Sequence, residues 1–329
     1  MSEYTRRDFL RIALVGLGAF MAARFLSACS PSQSTVPATA APVLPAVPKS
    51  PEPDSKATGY PDIVVVKHGE PEELVRKAID TLGGIKRFVK KGDNVILKPN
   101  IGPAIRTYEY AATTNPWVVA AVAKLCLEAG AGRVRVMDNP FGGTADSGFT
   151  ISGIKEQVEK AGGEIEIMSK FKFITTEIPQ GKDINKWEIY EDILKADVLI
   201  NIPIAKHHSG ARLTLGMKNL MGTIQNAQRF HINLHQRIAD LATRVRPTLT
   251  IVDAVRILVA NGPTGGDLKD VRKLDTIIAG TDIVAVDSYA TSLFGLKPDD
   301  IPNIKMAESA GLGTSDLSSL NIKELTLGS

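Results

Sequence analysis

The sequence predicts an α/β fold in which a largely parallel sheet is covered by helices on both faces. Two patterns support this prediction. Short apolar runs without polar alternation recur after residue 61, as expected for strands that are buried on both sides. Most of these runs are followed by a segment with helical spacing and capping residues, which is typical of parallel βαβ units. The region is long enough for one large domain, or for two lobes with a crevice at the strand carboxyl ends.

Seven runs are predicted strands, because they are rich in Val, Ile or Leu and end at turn-forming or polar residues. The first run lies between Pro61 and Gly69, and the fourth follows Gly163 with an alternating pattern. In chain order, the predicted strands cover residues 63–66, 94–97, 133–137, 164–168, 197–202, 249–252 and 276–279.

Helix signals separate most of these strands. Residues 70–88 have helical spacing, with an interruption at Gly83 and Gly84. Thr114 or Asn115 caps the next helix, which has a proline at its first position and a glycine after its end. The remaining predicted helices cover residues 154–161, 231–244 and 282–294.

The first 29 residues have the order of a signal peptide: a charged region with Arg6 and Arg7, a short uncharged run, and small residues before Cys29. The arginine pair resembles the twin-arginine class of export signals, and the Leu-Ser-Ala-Cys sequence resembles a lipobox. These features predict export by the twin-arginine machinery and lipid attachment at Cys29. The protein would then be anchored on the outer side of the cytoplasmic membrane, facing the periplasm or the extracellular space. An uncleaved anchor helix is the alternative.

The chain is thereby divided into a signal peptide (1–28), a lipidated cysteine with a linker (29–61) and a folded domain (62–329). Proline, serine, threonine and alanine dominate the linker, so it is predicted to be disordered. The formal net charge of the chain is +3. Residues 1–28 hold four arginines and two acidic residues, so about +1 remains after cleavage. This small charge argues against nucleic acid as a partner.

Cysteine content limits the possible cofactors. The chain contains two cysteines, Cys29 and Cys126. With Cys29 lipidated, this chain alone can form neither an intramolecular disulfide nor an iron–sulfur cluster, because a cluster needs several thiolates. Cys126 lies in an apolar helical run and is predicted to be a small core residue.

Polar side chains gather at the predicted carboxyl ends of the strands, which is where ligands bind in open α/β sheets. Lysines at this edge would collect an anion such as a carboxylate or phosphate, helped by the glycine-rich backbone of residues 262–266. No Walker or dinucleotide-binding motif is present, so a nucleotide is not indicated. The predicted ligand-binding residues are Lys98, Asn100, Asp138, Lys206, Lys218 and Asn219.

Histidines next to these lysines allow a second chemistry. His207 or His208, together with Asp253 or Asp138, could hold a divalent metal ion. In the enzyme hypothesis, His207 or His208 is the acid–base group or metal ligand, and Asp253 orients it.

Two other pairs of residues have simpler explanations. His231 and His235 are four residues apart on a predicted helix, a zinc-binding spacing that also occurs on ordinary helix faces. Asp282 is expected to cap a helix rather than to act in catalysis. Asp287 lies on a mostly apolar helix, where a buried carboxylate would need a partner.

Nine short motifs occur in order along the predicted domain: Lys98-Pro99-Asn100, 113–116, 128–131, 196–203, Lys206-His207-His208, 217–222, 251–253, 261–263 and 285–287. Together they resemble the bacterial and archaeal family catalogued as domain of unknown function 362, over roughly residues 62–316. The resemblance implies a common site at these motif positions. Many family members carry an appended ferredoxin-like segment with cysteine-ligated iron–sulfur clusters. This chain departs from that pattern, because it lacks the cysteines to build one.

Three functional hypotheses follow. The first is a lipid-anchored enzyme, metal-assisted or not, that acts on a small anionic substrate. The second is a non-catalytic lipoprotein that binds a small solute or a metal ion. The third is an accessory subunit of a membrane redox complex, in which this domain serves for docking.

Overall fold

The computed structural model describes residues 59–328. The predicted signal peptide, Cys29 and nearly all of the predicted linker lie outside the described residues. Within residues 59–328, no helix is long and apolar enough to cross a membrane. The described residues fall in one compact unit.

Twelve strands are present in the described range. In chain order they are β1 (Ile63–Lys67), β2 (Asn94–Lys98), β3 (Arg133–Val136), β4 (Glu164–Ile165), β5 (Phe173–Glu177), β6 (Lys186–Tyr190), β7 (Val198–Asn201), β8 (Ile204–His208), β9 (Arg212–Thr214), β10 (Leu249–Leu258), β11 (Val271–Gly280) and β12 (Ile322–Thr326).

Ten of these strands form one sheet. Eight lie side by side in the order β12-β1-β11-β10-β7-β2-β3-β4, while β8 pairs with β10, and β9 pairs with β8. Strand β11 is antiparallel to both of its neighbours, and β9 is antiparallel to β8. All other pairings in this sheet are parallel. The predicted α/β fold with a largely parallel sheet is therefore confirmed. Strands β5 and β6 form a separate antiparallel pair.

Nine α-helices accompany the strands in residues 59–328, together with short 3-10 turns. The helices are α1 (Pro71–Thr81), α2 (Pro116–Glu128), α3 (Ala145–Ile151), α4 (Ile154–Lys160), α5 (Glu191–Lys195), α6 (Gly216–Asn219), α7 (Leu234–Arg244), α8 (Ile283–Ala290) and α9 (Pro302–Ser309).

Alternate residues of the buried strands pack on opposite faces of the sheet. In β1, Val64 and Val66 belong to an apolar cluster with α1, α2 and α4. Ile63 and Val65 belong to a second cluster, which contains the apolar residues of α7, α8 and α9. Helices thus cover both faces, which explains why the strand sequence is apolar without alternation.

The predicted helix signals hold in detail. Asn115 caps α2 by accepting a hydrogen bond from the amide of Trp117, and a proline occupies the first helical position. Asp282 caps α8 in the same way. The first predicted helix is interrupted at its glycine pair. Cys126 is fully buried in α2, and burial raises the pKa of its thiol to about 12.

Several boundaries differ from the sequence prediction. Strand β10 continues to Leu258, so Asp253 lies inside the strand rather than at its end. Helix α7 begins at Leu234, and a 3-10 segment, Ala227–Asn233, precedes it. Strand β4 ends at Ile165, three residues early. The β5–β6 pair and β12 were not predicted, because their exposed residues break the apolar pattern of a buried strand. Strands β8 and β9 were not predicted either, so Lys206, His207 and His208 lie within a strand rather than in a loop beyond one.

The cap at Asp282 allows a direct test of the fold. Its carboxylate accepts hydrogen bonds from the amides of Val284, Ala285 and Thr314. Asp282→Ala should lower the free energy of unfolding by about 1–2 kcal/mol, because these donors lose their acceptor. Glu156→Ala, on the exposed surface of α4, should change it by less than about 0.5 kcal/mol. Denaturant unfolding measures both, and equal effects would contradict the assigned cap.

Candidate functional site

A cavity of about 740 Å³ opens beyond the carboxyl ends of β2 and β3. Residues from distant parts of the chain meet in its wall, because the parallel strands end at the same edge of the sheet. Six residues of the predicted site line it: Lys98, Asn100, Asp138, His208, Lys218 and Asn219.

Lys98 and Asp138 form a buried ion pair at the base of the cavity. The Lys98 ammonium lies 2.6 Å from Asp138 Oδ1, and both side chains are almost fully inaccessible to solvent. Lys98 also donates to the carbonyl oxygen of Pro99 and to Asn219 Oδ1, so its three protons have acceptors. Asp138 Oδ2 accepts from the amide of Ile101. Burial lowers the pKa of Lys98, while Asp138 opposes that shift.

Two asparagines extend this pair into a network. Asn219 Oδ1 accepts from Lys98 and, at 2.9 Å, from Asn100 Nδ2. Asn100 Oδ1 in turn accepts from the Lys206 ammonium at 3.1 Å. Asn219 Nδ2 donates to Asn201 Oδ1 and to the backbone carbonyl oxygens of Lys98 and Pro99. A continuous chain of hydrogen bonds therefore joins Lys98 to Lys206.

Lys206 is fully buried and has three neutral acceptors. Its ammonium donates to the carbonyl oxygens of Ala112 and Pro263 and to Asn100 Oδ1. No carboxylate among residues 59–328 lies within ion-pair distance of it. Burial, together with the nearby charge of Lys218, lowers the pKa of Lys206 to about 7. The glycine-rich segment thus supplies a carbonyl oxygen to a lysine, rather than the amide groups that the sequence predicts for an anion.

Of the three predicted site lysines, Lys218 is the one whose ammonium has no acceptor among the described residues. It lines the cavity, and its ammonium makes no hydrogen bond or ion pair with any of residues 59–328. Burial lowers its pKa to about 8, and the charge of Lys98 adds to this shift, while Asp138 opposes it. Lys206 and Lys218 therefore add positive charge that the Lys98–Asp138 pair does not neutralise.

Asp287 positions the short helix α6, which carries Lys218 and Asn219. Its carboxylate accepts from the amides of Gly216 and Met217, at 2.6 and 2.9 Å, at the start of that helix. Burial raises the pKa of Asp287 to about 7, and these amide hydrogen bonds oppose the shift. The partner that the sequence requires for Asp287 is therefore the backbone of α6.

The two neighbouring histidines have different surroundings. His208 lines the cavity, and its Nδ1 accepts from the amides of Gly210 and Ala211. Burial and the nearby lysines lower the pKa of His208 to about 3, so the ring is neutral and its proton is on Nε2. His207 lines a separate cavity of about 410 Å³, and its Nδ1 accepts from the amide of Gly262.

The structure does not assemble the metal site that the sequence predicts. Among residues 59–328, no three His, Cys, Asp or Glu side chains are placed to hold a metal ion together. In His207 and His208 the unprotonated nitrogen already accepts backbone hydrogen bonds, so neither ring offers a free lone pair. Asp253 accepts from the amides of Asn115 and Val255, so it orients the start of α2 rather than a histidine.

The spacing of His231 and His235 does not produce a shared site either. His231 precedes α7, and it lines the cavity with its ring stacked 6.4 Å from that of His208. His235 lies within α7 and is hydrogen-bonded to Asn303 Oδ1. The two rings therefore belong to different surroundings.

Several lining residues were not predicted from the sequence. Phe141 is half exposed at the cavity, with the Lys206 ammonium 5.9 Å from its ring. Gln225 donates to the carbonyl oxygen of Lys170 and accepts from the Trp187 indole, which joins two loops of the wall. Nothing in their local sequence distinguishes these loop residues from ordinary surface residues.

The site and fold define an α/β domain with a cationic cavity at the strand ends. Residues 95–292 match the family described as Domain of unknown function (DUF362). A thylakoid-associated protein of Synechocystis sp. is 30% identical over 253 residues, which cover 72% of this chain and 74% of that protein. The chain belongs to the domain of unknown function 362 family, as the sequence motifs predict.

Two solved structures show more distant similarity. The lactate racemase apoprotein from Thermoanaerobacterium thermosaccharolyticum aligns with 70% of this chain, with a TM-score of 0.44 and 15% identity. A protein from Thermotoga maritima aligns with 69% of this chain, with a TM-score of 0.39 and 12% identity. The aligned part spans 55% of the racemase chain and 60% of the second protein.

Gly222 packs closely against the Lys98–Asp138 ion pair, which allows a test of the site. A Cβ atom at Gly222 would lie 1.8 Å from Asp138 Oδ1 and 2.5 Å from Lys98 Nζ. Gly222→Ala should therefore displace the pair and lower the free energy of unfolding by about 1–3 kcal/mol. Gly142→Ala is the control, because its new Cβ would meet only the Pro103 carbonyl oxygen, at 3.7 Å. If both variants unfold at the wild-type denaturant concentration, the packing described here is incorrect.

Proposed function

We propose that this domain binds a small anion, a carboxylate or phosphate, in the cavity and acts on it as an enzyme. One observation carries the proposal: Lys206 and Lys218 lie close enough to the Lys98–Asp138 ion pair for its charges to shift their pKa values. Lys98 is neutralised by Asp138, whereas Lys206 and Lys218 have no counter-ion among the described residues. An anion bound beside them would remove the repulsion between like charges.

The three side chains that approach the anion have distinct parts in this proposal. Lys218 makes the direct contact, because its ammonium has no protein acceptor within residues 59–328. Lys206 contributes its charge while its hydrogen bonds hold it in place. His208 offers a neutral Nε2–H donor on the same cavity wall.

The lowered lysine pKa values support catalysis over simple binding. A group can exchange a proton efficiently when its pKa is near the working pH, and the pKa values of Lys206 and Lys218 are about 7 and 8. The proposed chemistry uses these lysines and His208.

We further propose that the domain is exported by the twin-arginine machinery and anchored by a lipid on Cys29. Residues 29–61 would then hold the domain away from the outer face of the cytoplasmic membrane. Support comes from the Arg6-Arg7 pair and the Leu-Ser-Ala-Cys sequence. The Synechocystis relative is thylakoid-associated, which agrees with a membrane location.

The anion site predicts a characteristic pH dependence of ligand binding. Oxalate keeps a constant charge between pH 6 and 9, so any change in its binding reports on the protein. Oxalate should raise the Tm at pH 6, and this increase should fade as the pH rises through 7 and 8, because Lys206 and Lys218 lose their protons. A pH-independent shift in a thermal-shift assay would contradict the proposal.

Variants of the same lysines complete that experiment. The folded-state pKa of Lys218 lies below its unfolded value of 10.5, so the folded state disfavours the ammonium at neutral pH. Lys218→Met should therefore raise the Tm without ligand by about 2–4 °C, equivalent to about 1 kcal/mol, and abolish the oxalate shift. Lys77→Met, on the exposed face of α1, should leave both quantities unchanged.

The export proposal has its own test. Arg6→Lys combined with Arg7→Lys keeps the charge but should leave the full-length precursor in the cytoplasm, whereas Arg11→Lys should not. Cys29→Ala should give an unlipidated form that is unprocessed or released. Cell fractionation with mass spectrometry of the N-terminal peptide measures these outcomes. Wild-type protein that is full-length and soluble in the cytoplasm would refute the proposal.

A further inference from the structure

The three lysines of the predicted site, Lys98, Lys206 and Lys218, differ in whether their nitrogen can react. The ammonium groups of Lys98 and Lys206 each have three acceptors and are fully buried. Lys218 lines the open cavity, with no acceptor among residues 59–328. Of these three nitrogens, that of Lys218 can therefore reach a bound molecule without breaking an existing hydrogen bond.

We propose that Lys218 is a nucleophile that forms an imine with the carbonyl carbon of a small 2-oxo acid, an inference that rests on the proposed anion site. A 2-oxo acid carries a carboxylate next to its carbonyl group. The carboxylate suits the positive charge of Lys206, which no carboxylate among the described residues pairs with, and it would bring the carbonyl carbon to the amine of Lys218.

The surroundings of Lys218 favour the neutral amine, which is the reactive form. Burial and the neighbouring Lys98 charge lower the Lys218 pKa to about 8. About one molecule in ten then carries the free amine at pH 7, compared with fewer than about one in a thousand for an unperturbed lysine. A second cationic group beside the nucleophile is an established way to activate a lysine for this chemistry.

The step balances with groups that are present. The lone pair of Lys218 Nζ attacks the carbonyl carbon, a C–N bond forms, and the carbonyl oxygen takes up a proton to give a carbinolamine. The nitrogen releases its protons, the hydroxyl group leaves as water, and the C=O bond is replaced by a C=N bond. His208 Nε2–H lies on the same cavity wall and can stabilise the oxygen as negative charge develops on it.

Borohydride trapping tests the inference on the purified full-length chain. Pyruvate is the probe, and sodium borohydride reduces an imine to a stable secondary amine that mass spectrometry detects. We expect one reduced pyruvyl group per chain, located on Lys218 by peptide mapping. Acetone, which has the carbonyl but no carboxylate, should give at least tenfold less product, because the cationic cavity does not hold it.

Two variants and one independent readout separate the possible outcomes. Lys218→Arg keeps the charge and should abolish trapping, whereas Lys170→Arg, on an exposed lysine at the cavity, should not. Should Lys218→Arg fail to fold, the peptide map of the wild-type adduct still decides. No adduct, or an adduct on another lysine, overturns the nucleophile. If oxalate still raises the Tm in that case, the anion site stands; if it does not, both proposals fail.

Discussion

The buried Lys98–Asp138 ion pair is the interaction on which the site depends. It connects the ends of β2 and β3, and through Asn219 it also connects α6 to the same point. Removing one partner of such a pair costs about 3–5 kcal/mol, because the other charge is then buried without compensation. Lys98 also donates to the carbonyl oxygen of Pro99 and to Asn219, and Asp138 Oδ2 accepts from the amide of Ile101. The geometry of the cavity floor is therefore determined by the fold itself.

The positive charges of Lys206 and Lys218 have opposite effects on the stability of the unliganded fold and on the binding of an anion. The charge of Lys218 lowers the pKa of Lys206, and the charge of Lys98 lowers the pKa of Lys218. Such an arrangement weakens the unliganded fold and strengthens the attraction for an anion. A site that served only to hold the fold together would pair these lysines with carboxylates. No carboxylate among the described residues pairs with either lysine. A bound anion would therefore supply the missing negative charge.

The sequence predicts the sheet, its helices and the meeting of the lysines, because all three follow from apolar runs and from parallel strand ends. It does not predict the direction of Asp253. Residues 254–258 remain largely apolar and continue β10 beyond that carboxylate, and its backbone partners leave no trace in the pattern. The spacing of His231 and His235 implies one helix face, yet a 3-10 segment ends between them. Contacts with the backbone, rather than residue type, decide these positions.

The placement of the other carboxylates leaves the cavity lining with more lysines than carboxylates. Asp253 and Asp287 are both buried, and each is directed at backbone amides where a helix starts, α2 in one case and α6 in the other. Helix starts carry partial positive charge, so they stabilise a carboxylate without any lysine. Asp138 is then the one carboxylate of these three that lines the cavity, and Lys98 already neutralises it. Lys206 and Lys218 then add positive charge that no carboxylate among residues 59–328 pairs with, and the proposed anion site rests on this charge.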